Sequence, residues 1–224
     1  MSESITPQDT RTDKLRLTEI FYSLQGETRT IGVPTVFVRL TGCPLRCQYC
    51  DTSYAFTGGS WWDFHAILEE ISKYSTRYIT VTGGEPLAQK PCYAFLRILC
   101  DKEYAVSLET SGAMDISEVD PRVVKVMDIK TPGSGEVEKN RYSNIKYLNK
   151  QDQVKFVLCN RQDYDWAKSI MQEYCLTETC EVLFSPSHDQ LPLRDLAEWV
   201  LADQLPVRVQ IQLHKLIWGE EPGR

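Results

Sequence analysis

Cys43, Cys47 and Cys50 are the residues whose type and spacing most plainly suit chemistry. They lie in the stretch Thr41-Gly42-Cys43-Pro44-Leu45-Arg46-Cys47-Gln48-Tyr49-Cys50-Asp51-Thr52. Thiolate is the soft ligand that iron–sulfur clusters require. The CxxxCxxC spacing lets one short loop aim three thiolates at three irons of a cubic cluster. Three protein ligands leave the fourth iron open to a substrate or cofactor, as an open coordination position does in a catalytic zinc site. A structural zinc site is the blander reading, but zinc usually takes four ligands, commonly as two CxxC-like pairs, and no second pair is visible.

A second stretch, Thr82-Gly83-Gly84-Glu85-Pro86, follows a β-rich run. Paired glycines let backbone approach a ligand where a Cβ would clash. A carbonyl and the Glu85 carboxylate can accept hydrogen bonds from an ammonium group. Alone, this stretch reads more readily as an ordinary strand-to-helix turn.

The elements that must position these residues alternate. Apolar or β-rich runs at Thr35–Leu40, Tyr78–Thr82, Ala105–Glu109, Val123–Ile129, Gln153–Leu158, Glu181–Phe184 and Val207–Leu213 read as strands. Between them lie helical patterns: Phe64, Ile67, Leu68 and Ile71 behind a capping Asp63; a helix through about Tyr93–Cys100; Tyr164, Ala167, Ile170, Met171 and Tyr174 behind a capping Asp163; and Leu193, Leu196, Ala197, Val200 and Leu201. Strand–helix alternation argues a parallel α/β sheet. Polar and glycine-rich residues fall repeatedly just after strands, which in a (β/α) barrel puts them on one face. The chain is short for an eight-fold barrel, so the expected fold is a partial, open (β/α) barrel of about six strands. Residues 1–14 read as a disordered lead-in, 15–218 as one catalytic domain, and 219–224 as a tail without a motif.

The rest of the 224 residues sets bounds. A net charge of −6 without a long basic run argues against a nucleic-acid partner. No stretch approaches the ~20 apolar residues of a membrane span, and the polar N-terminus carries no signal-peptide pattern. Nothing points to secretion, so eight cysteines fit a reducing cytoplasm better than a disulfide framework. Cys92, Cys100, Cys159, Cys175 and Cys180 lack cluster spacing and read as buried, inert thiols. Trp61-Trp62 reads as core or interface.

CxxxCxxC with an aromatic residue before the last cysteine, here Tyr49, resembles the cluster loop of radical S-adenosylmethionine enzymes. In that family the open iron is chelated by the amino and carboxylate groups of S-adenosylmethionine, whose reductive cleavage gives methionine and a 5′-deoxyadenosyl radical that abstracts a substrate hydrogen. Beside such a loop, Gly83-Gly84-Glu85-Pro86 resembles the family's amino-group motif. The flanks narrow the likeness. Leu24-Gln25-Gly26-Glu27, Phe37-Val38-Arg39-Leu40, Cys50-Asp51-Thr52, Glu109-Thr110-Ser111-Gly112, Asp128-Ile129-Lys130 and Gln212-Leu213-His214-Lys215 resemble the 7-carboxy-7-deazaguanine synthase family, from about residue 17 to residue 218.

The resemblance implies a radical carbon–nitrogen lyase of queuosine biosynthesis. It would contract 6-carboxy-5,6,7,8-tetrahydropterin to 7-carboxy-7-deazaguanine with loss of ammonia. The implied cofactors are a 4Fe-4S cluster on Cys43, Cys47 and Cys50, S-adenosylmethionine, and a Mg²⁺ held by Thr52 that also meets the substrate carboxylate. Candidate S-adenosylmethionine contacts are Tyr49, Cys50, Asp51, Gly83, Gly84, Glu85, Ser111, Asp128, Ile129, Lys130 and Ser185. On the pterin side the resemblance points to Leu24, Gln25, Gly26, Glu27, Arg39, Thr82, Gln212 and His214, with Arg39 pairing with the carboxylate. A homodimer and an electron donor such as flavodoxin are also implied. Two rivals stay open: an activating enzyme for glycyl-radical enzymes, and a non-catalytic iron–sulfur or zinc protein.

Overall fold

The computed structural model describes residues 13–219, 221 and 223. Most of the expected lead-in therefore lies outside the described residues, and its last residue, Lys14, already belongs to a strand. The strands are β1 (Lys14–Leu24), β2 (Pro34–Leu40), β3 (Ser60–Asp63), β4 (Tyr78–Gly83), β5 (Ala105–Thr110), β6 (Val124–Asp128), β7 (Gln153–Leu158), β8 (Glu181–Pro186) and β9 (Arg208–Val209). The helices are α1 (Phe64–Ser72), α2 (Pro91–Asp101), α3 (Arg161–Glu173), α4 (Leu176–Thr179), α5 (Leu193–Ala202) and α6 (Leu213–Trp218).

The nine strands among the described residues form one sheet in the order β3-β1-β2-β4-β5-β6-β7-β8-β9. From β2 onward every neighbour is parallel, while β1 pairs antiparallel with both β2 and β3. The sheet is open, as expected, with seven parallel strands rather than about six, and two antiparallel strands on one edge. Registers such as Leu40↔Gly83 bring the end of β2, where the cysteine loop begins, beside the start of the glycine pair.

Alternation along the parallel strands explains why the sheet has one apolar and one polar face. Val36, Val38 and Leu40, then Ile79 and Val81, Val106 and Leu108, Val154, Phe156 and Leu158, and Val182 and Phe184 belong to one buried cluster with Ile67, Ile71, Phe95, Leu96, Tyr164, Ala167, Leu196 and Val200 of the helices. The intervening residues, Arg39, Thr82, Glu109, Asp128, Lys155 and Ser185, turn to the opposite, concave side. Period-2 patterning in strands and period-3.6 patterning in helices thus bury one face and leave the other for a site.

Asp63 caps α1 as expected, accepting from the Ala66 amide at 2.8 Å. The cap of α3 differs: Asn160 accepts from the Asp163 amide at 3.0 Å. Asp163 is instead the third helical residue, turned inward onto Thr131, Gly133 and Cys159. The expected last strand, Val207–Leu213, contracts to Arg208–Val209, after which the chain turns into α6. Cys175 is exposed rather than buried, at a left-handed turn of φ 48° between α3 and α4.

Candidate active site

A cavity of about 500 Å³ opens where the parallel strands end. The cysteine loop forms one wall, and three neighbours brace it. The Glu85 amide donates to Gly42 O at 2.8 Å, Gly42 N donates to Ala55 O at 2.8 Å, and Gln48 N donates to Ser134 O at 3.0 Å. Gly84 is the contact point with the loop. A Cβ there would lie 2.3 Å from Gly42 O and 2.7 Å from Cys43 Cβ. The glycine pair lets two backbones meet, which no larger residue allows.

Cys43, Cys47 and Cys50 all face the cavity, and among the described residues no fourth cysteine lines it. Burial raises all three thiols, Cys47 to about 11, while the nearby Lys130 ammonium works the other way. Burial disfavours the Lys130 charge in turn, but Asp128, 2.9 Å away, and Cys47 outweigh it and raise the lysine's pKa. Beside them, Asp128 Oδ1 and the Tyr49 hydroxyl are buried without a hydrogen-bond partner among the described residues.

The opposite wall is a polar network. Arg39 donates from Nε to Glu19 at 2.7 Å and stacks over Phe21 at 5.4 Å, while Tyr54 donates to the same Glu19 oxygen at 2.8 Å. That grip uses the inner nitrogen, and among the described residues the terminal amines make no hydrogen bond, which leaves them for a carboxylate. Gln25, 1% exposed, accepts from the Glu27 amide at 2.9 Å and donates to Thr80 and Glu109, both at 3.2 Å. Thr82 donates to the other Glu109 oxygen at 2.9 Å. Glu27 takes Lys155 at 2.9 Å and Gln212 at 2.9 Å. Burial opposes its ionisation, but Lys155 and His214 outweigh it and hold the carboxyl at about 2. Gln212 also donates to Asp51 at 2.8 Å, and Thr52 donates to the other Asp51 oxygen at 2.8 Å.

The cavity wall contains Leu24, Gln25, Gly26, Glu27, Arg39, Tyr49, Cys50, Asp51, Thr52, Thr82, Gly83, Gly84, Ser111, Asp128, Lys130, Ser185, Gln212 and His214. Two expected residues sit elsewhere. Glu85 is fully buried, its carboxylate accepting from Leu87 N, the Thr110 hydroxyl and Ser111 N at 2.7–3.0 Å, and so ties the glycine turn to the end of β5. The Ile129 side chain lies in the apolar core. Sequence reasoning left Glu19, Glu109 and Lys155 without a role. The last two carried a usable signal, a charged residue alternating with apolar ones inside a strand. From the tail, Gly219, Glu221 and Gly223 reach the cavity wall.

The donor set fits the implied groups. Three thiols on one wall suit a cluster with a free corner, the orphaned Asp128 acceptor suits a ligand hydroxyl, and Thr52, donating its hydrogen bond to Asp51, keeps lone pairs for a hard cation. The radical SAM superfamily model matches residues 37–128. A 7-carboxy-7-deazaguanine synthase of Chlorobaculum tepidum is 43% identical over 210 residues, covering 92% of this chain and 96% of that protein. The chain belongs to the 7-carboxy-7-deazaguanine synthase family. A second member, from Koribacter versatilis, is 40% identical over 92% of this chain and 98% of its own length. The crystal structure of QueE from Escherichia coli shares the fold at 20% identity, with a TM-score of 0.74 over 92% of this chain and all of that one. Streptococcus suis SuiB bound to S-adenosylmethionine shares the core fold more loosely, with a TM-score of 0.53, 12% identity, and 76% of this chain against 45% of that one. A radical S-adenosylmethionine enzyme of this family thus carries an iron–sulfur cluster and S-adenosylmethionine as its cofactors.

Proposed function

We propose that the chain is a carbon–nitrogen lyase that contracts 6-carboxy-5,6,7,8-tetrahydropterin to 7-carboxy-7-deazaguanine and releases ammonia. The observation that carries this is one cavity with thiols and an unpaired carboxylate oxygen on one side, and a half-free arginine with a donor–acceptor network on the other. When bound, the cluster and S-adenosylmethionine supply the hydrogen-abstracting radical chemistry. Cys43, Cys47 and Cys50 hold the cluster. Tyr49, Gly84, Ser111, Asp128, Lys130 and Ser185 receive S-adenosylmethionine.

Everything else is positioning and exclusion of water. Arg39, pre-aimed by Glu19, clamps the substrate carboxylate. Thr52 would hold a Mg²⁺, which would supply positive charge to stabilise the negative charge of a bound carboxylate. Glu27, ionised at any working pH, accepts from the N–H groups of the pterin. Thr82, Gln212 and His214 complete that edge, with the backbone of Leu24 and Gly26. Gln25 acts through its neighbours, since its amide is already committed to Glu27, Thr80 and Glu109. The resemblance to the family, rather than any distance in the site, supports a homodimer, a flavodoxin-like electron donor and a cytoplasmic setting.

The test is an anaerobic assay of the cluster-reconstituted protein with S-adenosylmethionine, a reductant and the pterin, with and without Mg²⁺. Deazapurine and ammonia are expected in equal amounts, faster with Mg²⁺. S-adenosylmethionine cleavage without deazapurine would sink the substrate assignment, as would activity only on a second protein.

A further inference from the structure

Lys155 stands between the two halves of the cavity. It projects from the middle of β7, 13% exposed at the side chain, with its ammonium 2.9 Å from Glu27 Oε2 and 3.8 Å from Asp128 Oδ2. Lys130 grips the same Asp128 oxygen at 2.9 Å. Four charges, each 11–21% exposed at the side chain, therefore alternate in sign, Glu27, Lys155, Asp128 and Lys130, from the pterin wall to the cysteine wall. Burial opposes the Lys155 charge, yet Glu27, Asp128 and Glu109 more than restore it.

Charges this close and this little exposed are not rearranged independently. A ligand that engages Glu27 draws on the carboxylate that holds Lys155. One that engages the free oxygen of Asp128 fixes the other end of the ladder. Each ligand would orient the lysine for its counterpart.

We propose that Lys155 is a positioning residue that couples the S-adenosylmethionine and substrate subsites, so that each ligand binds more tightly when the other is present. This rests on the substrate reading above. The lysine touches neither reacting atom; it acts through Glu27 and Asp128.

The test uses cluster-reconstituted protein kept oxidised, so that S-adenosylmethionine stays intact. Its dissociation constant is measured by equilibrium dialysis with and without 6-carboxytetrahydropterin and Mg²⁺. The unmodified chain should bind it about fivefold or more tightly with the pterin present, the lower end of ordinary coupling. In Lys155→Met and Lys155→Gln that ratio should fall to about one, with cluster content and far-ultraviolet circular dichroism unchanged; Lys155→Arg should recover part of it. The glutamine variant keeps a hydrogen-bond donor and stands in should the methionine variant not fold. A full ratio in either folded neutral variant overturns the inference. So does a ratio of one in an unmodified chain that turns over the pterin. An unmodified chain with no turnover overturns the substrate reading, and the inference with it.

Discussion

Arg39 shows how a residue's value depends on what holds it. Its guanidinium is fixed from behind by Glu19 and flanked by Phe21 and Tyr54, so in the proposed role it would meet a carboxylate with little freedom left to lose. Glu19→Gln should therefore raise KM for the substrate by about tenfold with a smaller change in kcat, the cost of one charge-assisted bond. Steady-state kinetics read this, and an unchanged KM would remove Glu19 from the site. Glu27 has a folded-state pKa well below its ordinary 4.5. Its contribution to stability is therefore complete above about 4.5 and is lost as pH falls through about 2. Glu27→Gln should cost stability at pH 7 and little at pH 2, as measured by urea unfolding at both. At this scale the sequence was most legible where spacing is rigid: three thiols seven residues apart end to end announced themselves. Glu19 was not legible, because its partner lies 20 positions away on the neighbouring strand and only the β1–β2 register joins them.

The loops after the strands are the elements that build the site, and they are held by backbone contacts together with the buried Glu85 and Asp163 carboxylates. Gly84→Ala would place a methyl on Gly42 O. The chain should still fold, since the turn is at the rim and not in the core, but cluster retention and S-adenosylmethionine affinity should drop together. Iron content and equilibrium binding check this, and full occupancy of both would refute the packing argument. The longer helices α1, α2, α3 and α5 were readable because their apolar residues recur with period 3.6, whereas the short α4 and α6 were not read. The start of α3 was misread because Asp163 is a good capping residue that tertiary contacts recruited inward, leaving Asn160 to cap. β3 was hidden for a different reason. Four residues with two tryptophans carry no alternation to read, and only pairing with β1 makes them a strand. Trp62 packs on the core while Trp61 stays exposed, so the adjacent pair has split roles.

For the whole molecule, the open sheet does two jobs with one alternation. Its convex face supplies the apolar core, and its concave face stays polar because ligands, not side chains, are to fill it. Such a fold should be stabilised by its ligands. Once the cluster is loaded, S-adenosylmethionine at 100 times its dissociation constant should add about 2.7 kcal/mol. That corresponds to a rise in Tm of about 5–10 °C for a chain of this size, and calorimetry should find no such rise without the cluster. The overall α/β class followed from strand–helix alternation, while the antiparallel edge and the collapse of the last strand depend on long-range pairing that no local pattern encodes. In the proposed function, three thiolates leave one iron for S-adenosylmethionine. Electron–nuclear double resonance on the reduced, reconstituted protein with ¹⁵N- and ¹⁷O-labelled S-adenosylmethionine tests it directly. Hyperfine coupling of the amino nitrogen and a carboxylate oxygen to the cluster is the predicted result; a cluster spectrum indifferent to either label would contradict it.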